Sequence, residues 1–232
     1  MRYKNFATDY DGTLAHHGLV ESATIASMEK LRASGRRSLM VTGREISDLR
    51  LAFPRMDLFD VIVAENGAVL YHPDRDESKL LHPPPPARFA QALREAGVHP
   101  LSVGQVIVAT FEPYETVALR LIRELGLELE IIFNKGSVMI LPSGINKATG
   151  LSAALTEMNA TPQETVGVGD AENDHAFLQF CGCGVAVSNA LPALKAQADL
   201  VTRQPHGLGV AELIDLLVAT DLAGLIRDRK VT

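Results

Sequence analysis

The chain has 232 residues, 47% hydrophobic and 22% charged, with a formal net charge of −6. That length can bury a large core as one domain, or as one domain with a modest insertion. The acidic balance argues against a nucleic-acid partner, and it means that an anionic substrate needs local positive charge from a metal, lysine or arginine. No apolar run is long enough to span a bilayer. Met1-Arg2-Tyr3-Lys4 leads straight into structure without a signal-like segment, so the chain reads as cytoplasmic with no membrane partner. Cys181 and Cys183 are the two cysteines. No second thiol pair completes a zinc site, and apolar neighbours (Phe180, Val185, Val187) point to reduced, packed thiols.

The first element is the run ending in Phe6-Ala7-Thr8-Asp9-Tyr10-Asp11-Gly12-Thr13-Leu14, with two carboxylates two residues apart and a turn at Gly12. Close carboxylates repel unless a proton or cation sits between them, and a hard dication such as Mg²⁺ suits oxygen ligands. One aspartate then suits a nucleophile and the other a general acid and base; taken alone, the stretch reads first as a polar turn after a strand. A helix is expected over 22–34, with Ser22 as N-cap and Gly35 ending it. The strand Ser38–Val41 stops at Thr42-Gly43-Arg44, and a helix with Ile46, Leu49 and Phe53 follows. A hydroxyl and free N–H groups at that junction can hold an anion. Val61–Ala64 is a third buried strand, ending at Glu65-Asn66-Gly67, and Ala68–Tyr71 is a further strand.

His72 to Pro86 is charged and then proline-rich, and reads as a linker with Pro83–Pro86 in polyproline II. Beyond it come a helix near 87–96, a strand at Val106–Phe111 and a helix from Pro113 to Leu125. The strands Leu127–Phe133 and Val138–Leu141 follow, joined through Asn134-Lys135-Gly136-Ser137 as a hairpin. This block, 83–142, is about 60 residues long, which is marginal for an independent fold, so it is expected to be an inserted α/β cap leaning on a core of 1–82 and 143–232. The alternation resumes with a helix from Lys147 to Met158 and a strand Thr165–Val168 ending at Gly169-Asp170-Ala171-Glu172-Asn173-Asp174. If a helix begins there, Asp170 and Asp174 stack as i and i+4. A strand at Gly184–Val187, a short helix at Leu191–Gln197 and a closing helix at Val210–Val218 complete the pattern. The tail carrying Arg227, Asp228, Arg229 and Lys230 reads as a solvated end.

Strands alternating with helices predict an α/β fold, a Rossmann-like doubly wound parallel sheet with the smaller α/β cap inserted. Asp9 and Asp170 both fall at C-terminal ends of expected parallel strands, where open α/β sheets place their sites. His16-His17 are poor partners for Mg²⁺ and read as an exposed loop. His175 reads as a surface or packing residue, and Tyr114, Glu112 and Asn134 are cap residues that no spacing rule selects.

Taken in order, Asp9-Tyr10-Asp11-Gly12-Thr13, Thr42-Gly43-Arg44, Lys147 and Gly169-Asp170-x-x-Asn173-Asp174 resemble the haloacid dehalogenase superfamily of phosphohydrolases. The cap between the second and third pieces resembles the Cof-type branch, as do Glu65-Asn66-Gly67-Ala68, Gly144-Ile145-Asn146-Lys147 and Gly184–Ala190. The resemblance implies a Mg²⁺-dependent phosphatase of a small phosphomonoester, a sugar phosphate or a phosphoglycolate-like metabolite. It implies Asp9 as nucleophile, forming an aspartyl-phosphate, and Asp11 as general acid and base. The metal would be held by Asp9, the Asp11 carbonyl and Asp170, with Asp174 supporting. Thr42, Gly43 and Lys147, with Asn173 as helper, would hold the phosphoryl oxygens. Phosphoryl transfer needs positioning and charge neutralisation more than other machinery, which agrees. Glu45 stands where the branch often has proline, and Ser188 where it usually has glycine. The short cap resembles those of phosphoglycolate and sucrose-phosphate phosphatases. Competing expectations are a phosphomutase of the phosphomannomutase type and a non-catalytic metabolite-sensing domain; oligomeric state is not read from the sequence.

Overall fold

Every residue of the strands β1 (Asn5–Thr8), β3 (Val61–Ala64), β10 (Thr165–Gly169) and β11 (Cys183–Ala186) is buried, as in a parallel sheet covered on both faces. In this computed structural model, which describes residues 1–225, the chain runs β1, α1 (Ser22–Ala33), β2 (Arg37–Val41), α2 (Ile46–Ala52), β3, β4 (Val69–His72) and β5 (Glu77–Leu80). Next come α3 (Ala87–Glu95), β6 (Ser102–Val103), β7 (Val108–Phe111), α4 (Glu115–Glu124), β8 (Leu129–Asn134) and β9 (Ser137–Pro142). The chain then returns through α5 (Lys147–Glu157), β10, α6 (His175–Phe180), β11, α7 (Pro192–Gln197), β12 (Leu200–Val201) and α8 (His206–Thr220). The charged tail residues Arg227 to Lys230 lie outside the described residues.

The main sheet has the order β12-β11-β10-β1-β2-β3-β4-β5. It is parallel from β12 to β3, and β4 and β5 are antiparallel additions. Successive strands run outward from β1 in one direction through β2 and β3, and from β10 in the other. The order therefore reverses between β1 and β10, which opens a crevice at their carboxyl ends. Helix α1 packs on α8 and α5 packs on α6. No described helix is long and apolar enough to cross a membrane.

A second, antiparallel sheet has the order β6-β7-β9-β8. With α3 and α4 it encloses its own small core, including Phe89, Leu93, Val108, Leu121, Val138 and Ile140. The opposite side is not independent: Met139 and Leu141 of β9, and Val106 and Ile107 just before β7, belong to the main core. Each such fully buried aliphatic side chain contributes about 1.5–3 kcal/mol.

Several local expectations need correction. Ser22 is the first helical residue, and Glu21 occupies the cap position without a side-chain bond. Part of the expected linker is the edge strand β5, whose Glu-Ser-Lys-Leu sequence is exposed throughout and is held by backbone pairing to β4. Val106 and Ile107 precede β7 instead of starting it. A single turn of 3₁₀ helix at Glu172–Asp174 comes between Asp170 and α6, so Asp170 and Asp174 do not stack along a helix. Cys181 and Cys183 are buried.

Candidate active site

Asp9 and Asp170 are the residues immediately after β1 and β10, on either side of the crevice. The Asp9 N–H donates to the Val168 carbonyl at 2.9 Å, which extends the strand pairing to the edge of the site. Asp174 folds back from its turn, and its Oδ2 accepts the backbone N–H groups of Asp170 (2.8 Å) and Ala171 (2.9 Å). That fold-back requires glycine at 169, where a Cβ would stand 2.7 Å from the Asp174 carboxylate. The three buried aspartates each bring a carboxylate oxygen to within 4.8 Å of the others.

Lys147 reaches this cluster from the first turn of α5. Asn146 starts that helix with a capping box: its side-chain oxygen accepts the N–H groups of Ala148 and Thr149, while the Thr149 hydroxyl accepts from the Asn146 N–H. The helix start therefore aims Lys147 inward, and its Nζ donates to Asp9 Oδ1 and Asp174 Oδ1, both at 2.6 Å. Burial acts to lower the Lys147 ammonium, but Asp174 and Asp9 outweigh it and hold it above its ordinary value. Burial, then the neighbouring Asp174, pushes Asp9 up to about 8, against the pull of Lys147. Burial likewise raises Asp170, opposed by Lys135 and Thr13. Three carboxylates facing one buried ammonium call for a further proton or cation.

A second cation is present, from a place the sequence did not single out. Lys135, at the tip of the β8–β9 hairpin, donates from Nζ to Asp170 Oδ2 at 2.5 Å. The donor set of close carboxylate oxygens fits a hard divalent cation, and the approach of an ammonium to Asp170 shows that the cluster attracts positive charge.

The remaining expected residues are more dispersed. The half-exposed Asp11 is outside the carboxylate triad, and its two oxygens accept from Arg44 Nε (2.6 Å) and Nη2 (2.8 Å). Arg44 uses its Nη1 on Asp48 at 2.7 Å. Thr42 is buried, and its hydroxyl accepts the Arg44 N–H at 3.1 Å. Gly43 lines the cavity above the cluster, where a Cβ would lie 3.3 Å from the Met139 sulfur of the cap. Asn173 donates from Nδ2 to Asn66 Oδ1 at 2.9 Å and leaves its own Oδ1 without a partner. His16 and His17 are exposed, and the His16 ring stacks on His206. His175 bonds Gln197.

Glu65 joins core to cap. Its buried carboxylate accepts the N–H groups of Gln105 (2.9 Å), Val106 (2.7 Å) and Ile107 (2.8 Å). Glu65 and Asn66 hold φ values of 49° and 55°, left-handed backbone that costs on the order of 1 kcal/mol or more per residue. The three bonds across the junction offset it. A cavity of about 490 Å³ lies between the cap sheet and the crevice, with Asp9 and Asp11 at its floor. Of the cap residues weighed from sequence, Asn134 lines it, whereas Glu112 and Tyr114 do not.

An open α/β sheet with an acidic cluster at its switch point, under an inserted cap, defines a class of phosphohydrolase. The family described as haloacid dehalogenase-like hydrolase matches this chain over residues 6–85 and 100–214, and the chain belongs to it. It is 29% identical over 221 residues to phosphoglycolate phosphatase 2 of Saccharolobus solfataricus, covering 92% of this chain and 91% of that one. It is 28% identical over 218 residues to the phosphoglycolate phosphatase of Methanothermobacter thermautotrophicus, covering 90% and 96%. Among solved structures, a haloacid dehalogenase-like hydrolase from Bacteroides thetaiotaomicron superposes with a TM-score of 0.77 at 21% identity, covering 93% of this chain and 99% of that one. The chain is a hydrolase of this family.

Proposed function

We propose that the protein hydrolyses a small phosphomonoester through an aspartyl-phosphate on Asp9, with Mg²⁺ held by Asp9, the Asp11 carbonyl and Asp170. The observation that carries this reading is the buried Asp9–Asp170–Asp174 triad with Lys147 bonded to its nucleophile. Bound there, Mg²⁺ would supply charge neutralisation for the phosphoryl oxygens and the nucleophile.

An Asp9 carboxylate oxygen attacks phosphorus, and the bond from phosphorus to the ester oxygen breaks. Asp11, at the cavity floor, gives that oxygen its proton. Asp11 then takes a proton from water, whose oxygen attacks the phosphorus of the acyl phosphate; the Asp9–phosphorus bond breaks and inorganic phosphate leaves. Lys147, Thr42 and the Gly43 N–H serve the phosphoryl oxygens, and Asn173 has a supporting place through Asn66. Arg44 holds both Asp11 oxygens at the cavity floor, so Asp11 breaks one of these bonds when it carries the proton. Residues 83–142 form a cap that excludes water from this chemistry.

The test is Asp9→Asn, which keeps shape but removes the nucleophile. Release of phosphate from p-nitrophenyl phosphate in Mg²⁺ should fall by more than about 10⁴-fold. Near-normal turnover would exclude the covalent route.

A further inference from the structure

The cavity above the cluster must receive whatever the phosphate is attached to, and its walls differ in kind from the floor. Three carboxylates line it beyond Asp9, those of Asp11, Glu45 and Asp48, and Arg44 is the one cation among the described lining residues. That guanidinium is already committed. It holds Asp11 with two nitrogens and Asp48 with a third. Glu45 forms no ion pair among the described residues; it accepts a hydrogen bond from the hydroxyl of Ser102 on the cap. A carboxylate on the leaving group would enter a wall of like charge with no unspent cation to meet it.

The rest of the lining suits an uncharged, hydroxylated group. Asn134 lines the cavity and puts a polar amide side chain on this wall. The oxygens of Glu45 and Asp48 are further acceptors, and the hydroxyl of Ser137 lies on the same wall. Phe111 also lines the cavity and is 51% exposed, an aromatic ring left open to solvent beside these polar groups. Acceptors for hydroxyl hydrogens next to an apolar face match the two sides of a polyol or sugar. The cavity, at about 490 Å³, is within the range of sites that enclose a whole metabolite, about 300–1,000 Å³.

We infer that the leaving-group site is built for a neutral polyhydroxylated group, and that Glu45 selects against carboxylate-bearing esters such as the phosphoglycolate of the relatives' names. This rests on the phosphatase reading above. Lys135 is the cation with which a carboxylate reading would have to work, but its ammonium lies on Asp170 and is not among the lining groups.

A matched pair of esters isolates the charge: 2-phosphoglycolate and 2-hydroxyethyl phosphate differ only in a carboxylate against a hydroxymethyl group. In Mg²⁺, kcat/KM should favour 2-hydroxyethyl phosphate by about tenfold or more, the effect of one unscreened like charge, with sorbitol 6-phosphate better still. Glu45→Gln should raise kcat/KM for phosphoglycolate several-fold (about 3–10-fold) and so narrow the ratio, while Lys135→Ala should leave the ratio unchanged. A wild-type preference for phosphoglycolate, or a ratio indifferent to Glu45→Gln, would overturn the inference and leave the phosphatase reading intact. A phosphoglycolate preference lost in Lys135→Ala would overturn it in favour of a carboxylate site on the cap. Phosphate release from none of these esters, nor from p-nitrophenyl phosphate, would overturn both.

Discussion

Two lysines meet the same acidic cluster from opposite sides. Lys147 comes from the core, 1% exposed at its side chain, and bridges Asp9 and Asp174. Lys135 comes from the cap hairpin, 46% exposed, and its ammonium bonds Asp170 while its backbone N–H donates to Glu172. The first is fixed by a capped helix in a dry environment, where charge interactions are strong. The second is on a turn with water at its back, where they are weak. The floor of the site is therefore preformed, and the roof is the part open to exchange with solvent, cation and substrate.

The largest effect should come from breaking the floor. Lys147→Met leaves Asp9 and Asp174 buried without their ammonium, and should cost about 3–5 kcal/mol in urea denaturation of the metal-free protein. Turnover should be lost with it. An unchanged unfolding midpoint would mean that the floor is no more tightly held than the roof.

Next in size is the response to pH. The Asp9 value in the fold, about 8, is above its ordinary 3.8, so the folded state binds the extra proton between them. The stability this gives is full below about 4 and is lost as the pH rises through about 8. The metal-free protein should accordingly weaken over that window. Mg²⁺ should restore it, because a bound cation takes over from the proton. Asp9→Asn should flatten the profile, and thermal melts at several pH values in EDTA and in Mg²⁺ distinguish these cases.

Asn146→Ala probes how the floor is aimed. Loss of the cap should cost about 1 kcal/mol, and it should lower kcat through Lys147 more than it raises KM. If KM alone changed, the helix start would not be setting the position of Lys147.

The smallest effect is expected at the roof. Lys135→Ala should change stability by less than about 1 kcal/mol, since the Lys135 ammonium is nearly half exposed and screened by water, although Asp170 itself is buried. Calorimetric titration should show Mg²⁺ binding a few-fold tighter, because Asp170 loses its competing ammonium. Weaker binding would show that Lys135 organises the metal ligands instead of competing with them.

The contrast between floor and roof also marks what was legible in the sequence. The strands β1, β2, β3, β10 and β11 were readable because each is a short apolar run closed by a polar turn, and burial on both faces permits little else. The edge strand β5 was not, since Glu77–Leu80 carries no alternation and owes its form to backbone pairing with β4. Asp174 was expected one helical turn above Asp170, but the carboxylate found two free N–H groups nearer at hand, those of Asp170 and Ala171. Arg44 was visible in a motif, without its bidentate hold on Asp11.

By itself, the sequence determined the alternation of elements and the acidic turns at Asp9 and Asp170, because these follow from local pattern and chain order. Only the tertiary structure decided which charges meet. The hold of Glu65 on the cap loop, the reach of Lys135 into the core's acidic cluster and the wall made by Glu45, Asp48 and Asn134 join residues far apart in the chain. Such contacts leave no period and no spacing to read. They arise where two sheets fold against one another and buried carboxylates must find donors or cations within a few ångströms.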